Sequence, residues 1–190
     1  MVENTVPNRR RTRILGYDYR EPGAYFITIC TFQRQQLFGK LDGQEIHLSP
    51  IGEIVKDRWL AIPDKNSYVD LDFFVVMPNH IHGILWIHRD RCFFDSENVR
   101  RANYRQNSGS LGRVIGSFKG ACTRRVQEEF PLGKVDLWQR NYYEHVVRNE
   151  ADLQRIQEYI LHNPVELLLK QTEGSPWESP YATSDQFDWL

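Results

Sequence analysis

Cysteine is scarce in this chain. Cys30, Cys92 and Cys122 are widely spaced and form no ligand or pairing motif, which argues against a disulfide framework and a thiolate-bound zinc site and for a reducing compartment. Long apolar runs are also missing. The longest, around residues 73–87, is too short to span a bilayer and is interrupted by Pro78, Asn79 and two histidines. The first residues are polar and basic, with no apolar signal core. A soluble, cytoplasmic protein with no membrane partner is expected. Nor is there an excess of charge of one sign: the formal net charge is −1, so the total announces no polyanionic partner. The distribution is less even. Arg9, Arg10, Arg11 and Arg13 cluster at the start, Lys119, Arg124 and Arg125 cluster further on, and Glu173, Glu178, Asp185 and Asp188 make the end acidic. A neutral total can hide a basic binding face.

With 190 residues the chain suits one domain with a sizeable core. Residues 1–22, polar and punctuated by Pro7, Gly16 and Pro22, read as a basic arm; residues 23–170 read as the domain and 171–190 as a tail. Residues 24–31 are β-branched and aromatic and predict a strand, and 38–48 predict a hairpin around Asp42 and Gly43. Ser49 followed by Pro50 predicts an N-cap and a helix to about residue 62. Residues 69–77 and 81–88 predict two strands, the second apolar on both faces and so central in a sheet. Residues 89–110 show no period and read as a loop. A helix is predicted over 111–130, with Gly112, Gly116 and Gly120 along one stripe, which suggests close backbone approach. Short strand pieces are predicted at 137–138 and 142–147. A last helix is capped by Asn149, with Asp152 three residues on, and stops at Pro164. This order fits an α+β, ferredoxin-like split βαβ fold: an antiparallel sheet with helices packed mainly on one face.

The chemistry concentrates in two places. His80 and His82 lie two apart in strand-like sequence, so both imidazoles point to one side of the sheet, within reach of one metal ion. A random pair of this spacing more often bonds to backbone or water, but burying two rings at the end of an apolar strand is costly without a partner. His88 shares their parity at the far end, beside Arg89 and Asp90, and reads as a surface residue. Tyr159 and Asn163 sit one helical turn apart, on the border of the stripe formed by Leu153, Ile156 and Ile160. Core packing is the usual fate of such a tyrosine, and an asparagine before proline is a common helix terminator. Tyr142 and Tyr143 are rival nucleophiles without a ligand companion at helical spacing. Lys119, Arg124 and Arg125 would usually be a solvated helix face, and the arginine cluster a flexible terminus.

Pro78-Asn79-His80-Ile81-His82 resembles the histidine-hydrophobic-histidine (HUH) motif of single-tyrosine transposases. Trp138-Gln139-Arg140-Asn141-Tyr142-Tyr143-Glu144-His145, then Arg148-Asn149-Glu150, then Tyr159-Ile160-Leu161-His162-Asn163-Pro164, is similar to the C-terminal half of REP-associated tyrosine transposases. Gly16-Tyr17-Asp18-Tyr19, Gly23-Ala24-Tyr25-Phe26-Ile27-Thr28 and Ser117-Phe118-Lys119 extend the likeness to roughly residues 13–181. The resemblance implies a metal-dependent HUH endonuclease and transposase that cleaves and rejoins single-stranded DNA, near hairpin repeats, through a 5′-phosphotyrosine. It implies Tyr159 as nucleophile and Mg²⁺ or Mn²⁺ held by His80, His82 and Asn163. Lys119, Arg124, Arg125 and Arg9, Arg10, Arg11 and Arg13 are then candidate DNA contacts, and Trp138, Tyr142 and Tyr143 are either base-stacking or core residues. Exchange of two strand ends is compatible with a homodimer, and a bacterial DNA substrate would place the protein at the nucleoid. The alternatives are a domesticated, non-catalytic DNA-binding protein of the same fold and a metal-dependent hydrolase that uses water.

Overall fold

Side chains that alternate between two apolar environments make β1 (Gly23–Cys30) the pivot of the structure. The computed structural model describes residues 16–43, 45–88, 110–130 and 136–173, with side chains through residue 164. After β1 come a one-turn 3₁₀ segment (Phe32–Arg34), the hairpin β2 (Gly39–Asp42) and β3 (Glu45–Leu48), and helix α1 (Pro50–Leu60). The short α2 (Ile62–Lys65), β4 (Val69–Met77), β5 (His80–Ile87), α3 (Leu111–Glu129), β6 (Tyr143–Val146) and α4 (Glu150–Glu173) follow. The main sheet has the order β4-β5-β1-β6 and is antiparallel throughout. Two units interleave: β1 and β4 flank β5, and β5 and β6 flank β1. This is the expected α+β split βαβ arrangement.

One face of the sheet carries Tyr25, Ile27, Ile29, Ile81, Leu85 and Ile87. Against it pack Ile54, Val55 and Trp59 of α1, Ile62 of α2, and Leu111, Val114, Ile115, Phe118, Cys122 and Val126 of α3. The other face carries Ala24, Phe26 and Ile84, covered by Leu153, Ile156, Tyr159 and Ile160 of α4. Three helices thus share one face and α4 stands alone on the other. β5 is buried along nearly its whole length, as a central strand must be. Gly83 on β5 permits a close approach: an added Cβ would overlap the ring of Trp59.

Local chemistry explains the ends of the elements. The Ser49 hydroxyl accepts from Gly52 N (3.1 Å) and donates to Leu37 O (2.6 Å), with Pro50 in the first turn of α1. Asn149 caps α4 through Asp152 N, 2.9 Å from its Oδ1. Several expectations fail. α4 runs through Pro164 to Glu173, because proline removes one N–H from the ladder without forbidding the next turns. The glycine stripe of α3 makes no close backbone approach at Gly116 or Gly120: Gly116 is exposed, and an added Cβ there would meet nothing. Of residues 137–138, only Trp138 forms a bridge, to Thr31. Tyr17 and Tyr19 pack on the core, and Tyr19 O accepts from Leu111 N at 3.1 Å, so the arm boundary at residue 22 cuts through packed residues. Arg9, Arg10, Arg11, Arg13, Cys92, residues 89–109 and the tail from 174 lie outside the described residues. Among the described residues no helix is long and apolar enough to cross a membrane.

Candidate active site

Strand pairing assembles the first half of the site. His82 on β5 faces Thr28 on β1, and His80 faces Cys30, so all four side chains share the face covered by α4. His80 and His82 are 4% and 1% exposed. Their Nε2 atoms lie 3.0 Å apart. The other nitrogen of each ring is held from behind: His80 Nδ1 is 2.6 Å from Asn79 Oδ1, and His82 Nδ1 is 2.9 Å from Thr28 Oγ1. Asn79 is itself oriented, since its amide donates to Arg34 O at 3.4 Å. The Phe26 ring stacks on His82 at 5.4 Å.

These contacts fix the orientation of both rings. A proton on each Nδ1 satisfies Asn79 and Thr28 and leaves both Nε2 lone pairs aimed at one point. Burial, assisted by the charge of Arg34, pushes His80 down to about 3. Burial, with His80 and Arg34, also holds His82 well below the ordinary histidine range. Both imidazoles therefore stay neutral at physiological pH, the form that ligates metals. Two donors on one ion, with bonds of about 2.1 Å at a right angle, lie about 3 Å apart, which matches the pair. Among the described residues no third histidine, cysteine or carboxylate joins them. Among the described residues, Asn163 is placed to offer a neutral oxygen donor as a third ligand.

α4 brings the second half. Tyr159 is 5% exposed, and its hydroxyl is 3.3 Å from His82 Nε2. Its ring meets Phe26 edge-on at 6.0 Å and His82 at 5.2 Å. Asn163 is buried one turn further along the same face of the helix. The structure thus gathers His80, His82 and Tyr159 into direct contact and puts Asn163 on the face beside them. Tyr143 shares this sheet face opposite Thr28, one strand further from the histidines, while Tyr142 packs on the opposite core.

Two polar clamps fix α4 over the sheet. At the β6 edge, His145 Nε2 meets Asp152 Oδ2 at 2.8 Å, and Arg148 N and Arg155 donate to the same carboxylate at 3.1 and 2.8 Å. At the β4 edge, Asp72 lies in the irregularity between Leu71 and Phe74 and accepts from Gln157 Nε2 (3.0 Å) and Trp86 Nε1 (3.1 Å). Burial disfavours the Asp152 carboxylate, but the bonds from His145, Arg148 and Arg155 outweigh it and hold its pKa below the ordinary value. The stabilisation is complete above the unfolded value of about 3.9 and disappears as pH falls through the lower folded value. Asp152→Asn should cost ~2 kcal/mol at pH 7, and that deficit should shrink below about pH 4. Urea unfolding of both proteins between pH 7 and pH 3 measures it; a deficit constant with pH would remove the carboxylate from the clamp.

The basic candidates fare differently. Lys119 donates to Gln139 O (2.5 Å) and Asn141 O (3.1 Å), and burial lowers its pKa to about 8. It pins the 139–141 segment. Arg125 pairs with Glu129 at 3.0 Å, and Arg124 is exposed on α3. Trp138 packs between Phe38 and Phe118 and donates to Lys119 O, which makes it a core residue. His88 is partly exposed and meets Asp70 Oδ2 at 2.9 Å, a surface role as expected.

No family model matches the sequence. An uncharacterized protein of Haemophilus influenzae is 36% identical over 164 residues, 84% of this chain and 90% of the relative. The chain belongs to the family of that protein. The structure of a REP-associated tyrosine transposase bound to a REP hairpin matches with a TM-score of 0.56 at 16% identity, over 90% of this chain and 93% of the other. This chain has the REP-associated tyrosine transposase fold. Within that fold, Thr28, Asn79, His145 and Asp72 are the supporting residues that the sequence did not assign to the site. Asn79 stood beside the histidines in the motif. Thr28 became recognisable only once the register of β1 against β5 was known.

Proposed function

We propose that this protein is a metal-dependent HUH single-strand DNA endonuclease and transposase. The observation that carries the reading is the Tyr159 hydroxyl 3.3 Å from His82 Nε2, beside a second imidazole 3.0 Å further on. Phenol and paired neutral imidazoles in one buried cluster are the parts needed for attack on a phosphodiester. Tyr159 Oη would give up its proton and attack the scissile phosphorus; the P–O3′ bond breaks, and the leaving 3′ oxygen takes up a proton, so none is gained or lost overall. The products are a 5′-phosphotyrosine and a free 3′-hydroxyl. Because the new ester keeps the phosphodiester energy, a 3′-hydroxyl reverses the step without ATP.

Mg²⁺ or Mn²⁺, held by His80, His82 and Asn163, would supply Lewis-acid polarisation of the phosphate oxygens. Thr28 and Asn79 hold the imidazoles in the ligating orientation, and the two clamps on α4 hold the phenol in line. An unpaired strand can bend to bring one phosphate between Tyr159 and the histidines, whereas stacked duplex resists that bend. The REP hairpin bound by the structural neighbour supports a hairpin-adjacent single strand as the substrate here. A genomic substrate of this kind implies work in the cytoplasm, at the nucleoid, and strand exchange is compatible with a homodimer.

The test is a competition with Mn²⁺ between a labelled single-stranded hairpin oligonucleotide and the same sequence as perfect duplex. A denaturation-resistant protein–DNA adduct on the hairpin substrate alone is expected. Cleavage without an adduct would mean a hydrolase that uses water. Binding without cleavage would mean a non-catalytic descendant, and equal cleavage of both DNAs a duplex nuclease.

A further inference from the structure

Immediately after β1 the backbone turns in an unusual way. Gln33 (φ 52°, ψ 25°) and Arg34 (φ 57°) are consecutive left-handed residues, and neither is glycine. This region is disfavoured for side chains with a Cβ, and glycine would occupy it freely. Two long polar side chains are nevertheless kept there, and strain held in this manner gathers at functional sites. The turn is closed by Arg34 N to Thr31 O (3.1 Å) and Gln35 N to Phe32 O (3.2 Å). It is tied to the site from beneath. Thr31 Oγ1 lies 2.8 Å from Gln35 O and 2.9 Å from Asn79 O and shares its one proton between them. The Asn79 amide that meets Arg34 O belongs to the residue whose Oδ1 holds His80.

The run Phe32-Gln33-Arg34-Gln35-Gln36 is exposed from end to end, with Phe32 37% exposed. It stands at the rim of a cluster whose own members are all buried. The backbone N–H groups at the turn's close are used internally, so any contact outward falls to the side chains.

We infer that the Phe32–Gln36 turn is a binding site for the single strand that enters the Tyr159 centre, with the Arg34 guanidinium holding the phosphate next to the scissile one and Phe32 stacking on an adjoining base. This inference rests on the proposed nuclease function. Guanidinium is suited to it because its planar fork bonds two phosphate oxygens at once. An exposed aromatic ring accepts any base, and the neighbouring glutamine amides can meet base edges. The assignment moves the basic contact from Lys119, which is committed to carbonyls, to a residue linked to His80 through one asparagine.

Arg34→Ala should leave the thermal midpoint unchanged, weaken single-strand binding about tenfold, and lower the logarithmic salt slope by ~0.7. Arg34→Lys should restore the slope, because it keeps the charge, but only part of the adduct rate, because it loses the fork. Neutral methylphosphonate linkages, placed one at a time along the oligonucleotide, locate the contact. At the phosphate beside the scissile one, the neutral linkage should erase the difference between wild type and Arg34→Ala; elsewhere the difference should persist. An unchanged salt slope in Arg34→Ala, or a difference that survives every neutral linkage, overturns the inference. A wild-type protein that binds the strand but forms no Tyr159 adduct refutes the nuclease reading instead, and the binding measurements still decide the role of Arg34.

Discussion

Tyr159→Phe should abolish the covalent protein–DNA adduct while the protein remains folded and still binds DNA. The substitution removes one oxygen and keeps the ring. That ring accounts for the packing: it lies against Phe26 and His82 and belongs to the cluster of Ala24, Ile84, Leu153, Ile156 and Ile160. Loss of a single neutral hydrogen bond, the 3.3 Å contact with His82 Nε2, costs about 1 kcal/mol of stability. The chemical loss is total, because phenylalanine has no atom that can form the phosphate ester. Adduct formation on a denaturing gel, with strand binding measured by fluorescence anisotropy, separates the two effects. An adduct formed by the Phe variant would hand the role to Tyr143, which shares the sheet face, and would make the buried Tyr159 a packing residue.

The parts of this structure written in local pattern were legible in the sequence. Ser49-Pro50 marked the start of α1, the apolar run around His82 marked a central strand, and the spacing of His80 and His82 put both rings on one face. The motif order then located Tyr159 on α4, about eighty residues from the histidines that it meets. What stayed hidden depends on pairing between distant segments. Thr28 reads as one more β-branched strand residue until it is paired with His82. Asp152 reads as part of a helix cap, yet its carboxylate turns to His145 and Arg155 instead. Lys119 looks like a solvated cation on a helix, but the carbonyls that claim it come from a segment twenty residues later. Pro164 and the glycine stripe misled for a different reason. Both were read by average propensity, and tertiary packing decides a helix end or a helix face more strongly than propensity does.

Replacing either histidine should remove metal-dependent cleavage, and His82 carries the larger share of contacts. Its Nε2 stands between His80 and the Tyr159 hydroxyl, and its ring fills the space against Phe26. His82→Ala should slow adduct formation by about a hundredfold or more and abolish Mn²⁺ binding in calorimetry. His80→Ala removes the other donor without emptying the space beside Tyr159, so it should match the loss of metal binding while disturbing the fold less. Truncating a buried ring leaves a cavity, so circular dichroism and thermal unfolding must accompany the kinetics. Thr28→Val separates the two causes. It keeps the shape of the side chain and removes only the oxygen 2.9 Å from His82 Nδ1. A valine there should lower metal affinity about tenfold without the cavity, because the imidazole loses the group that fixes its orientation. Chelator-treated wild-type protein with undiminished cleavage, or His82→Ala at the wild-type rate, would leave the paired imidazoles as a buried structural pair and take the metal out of the reaction.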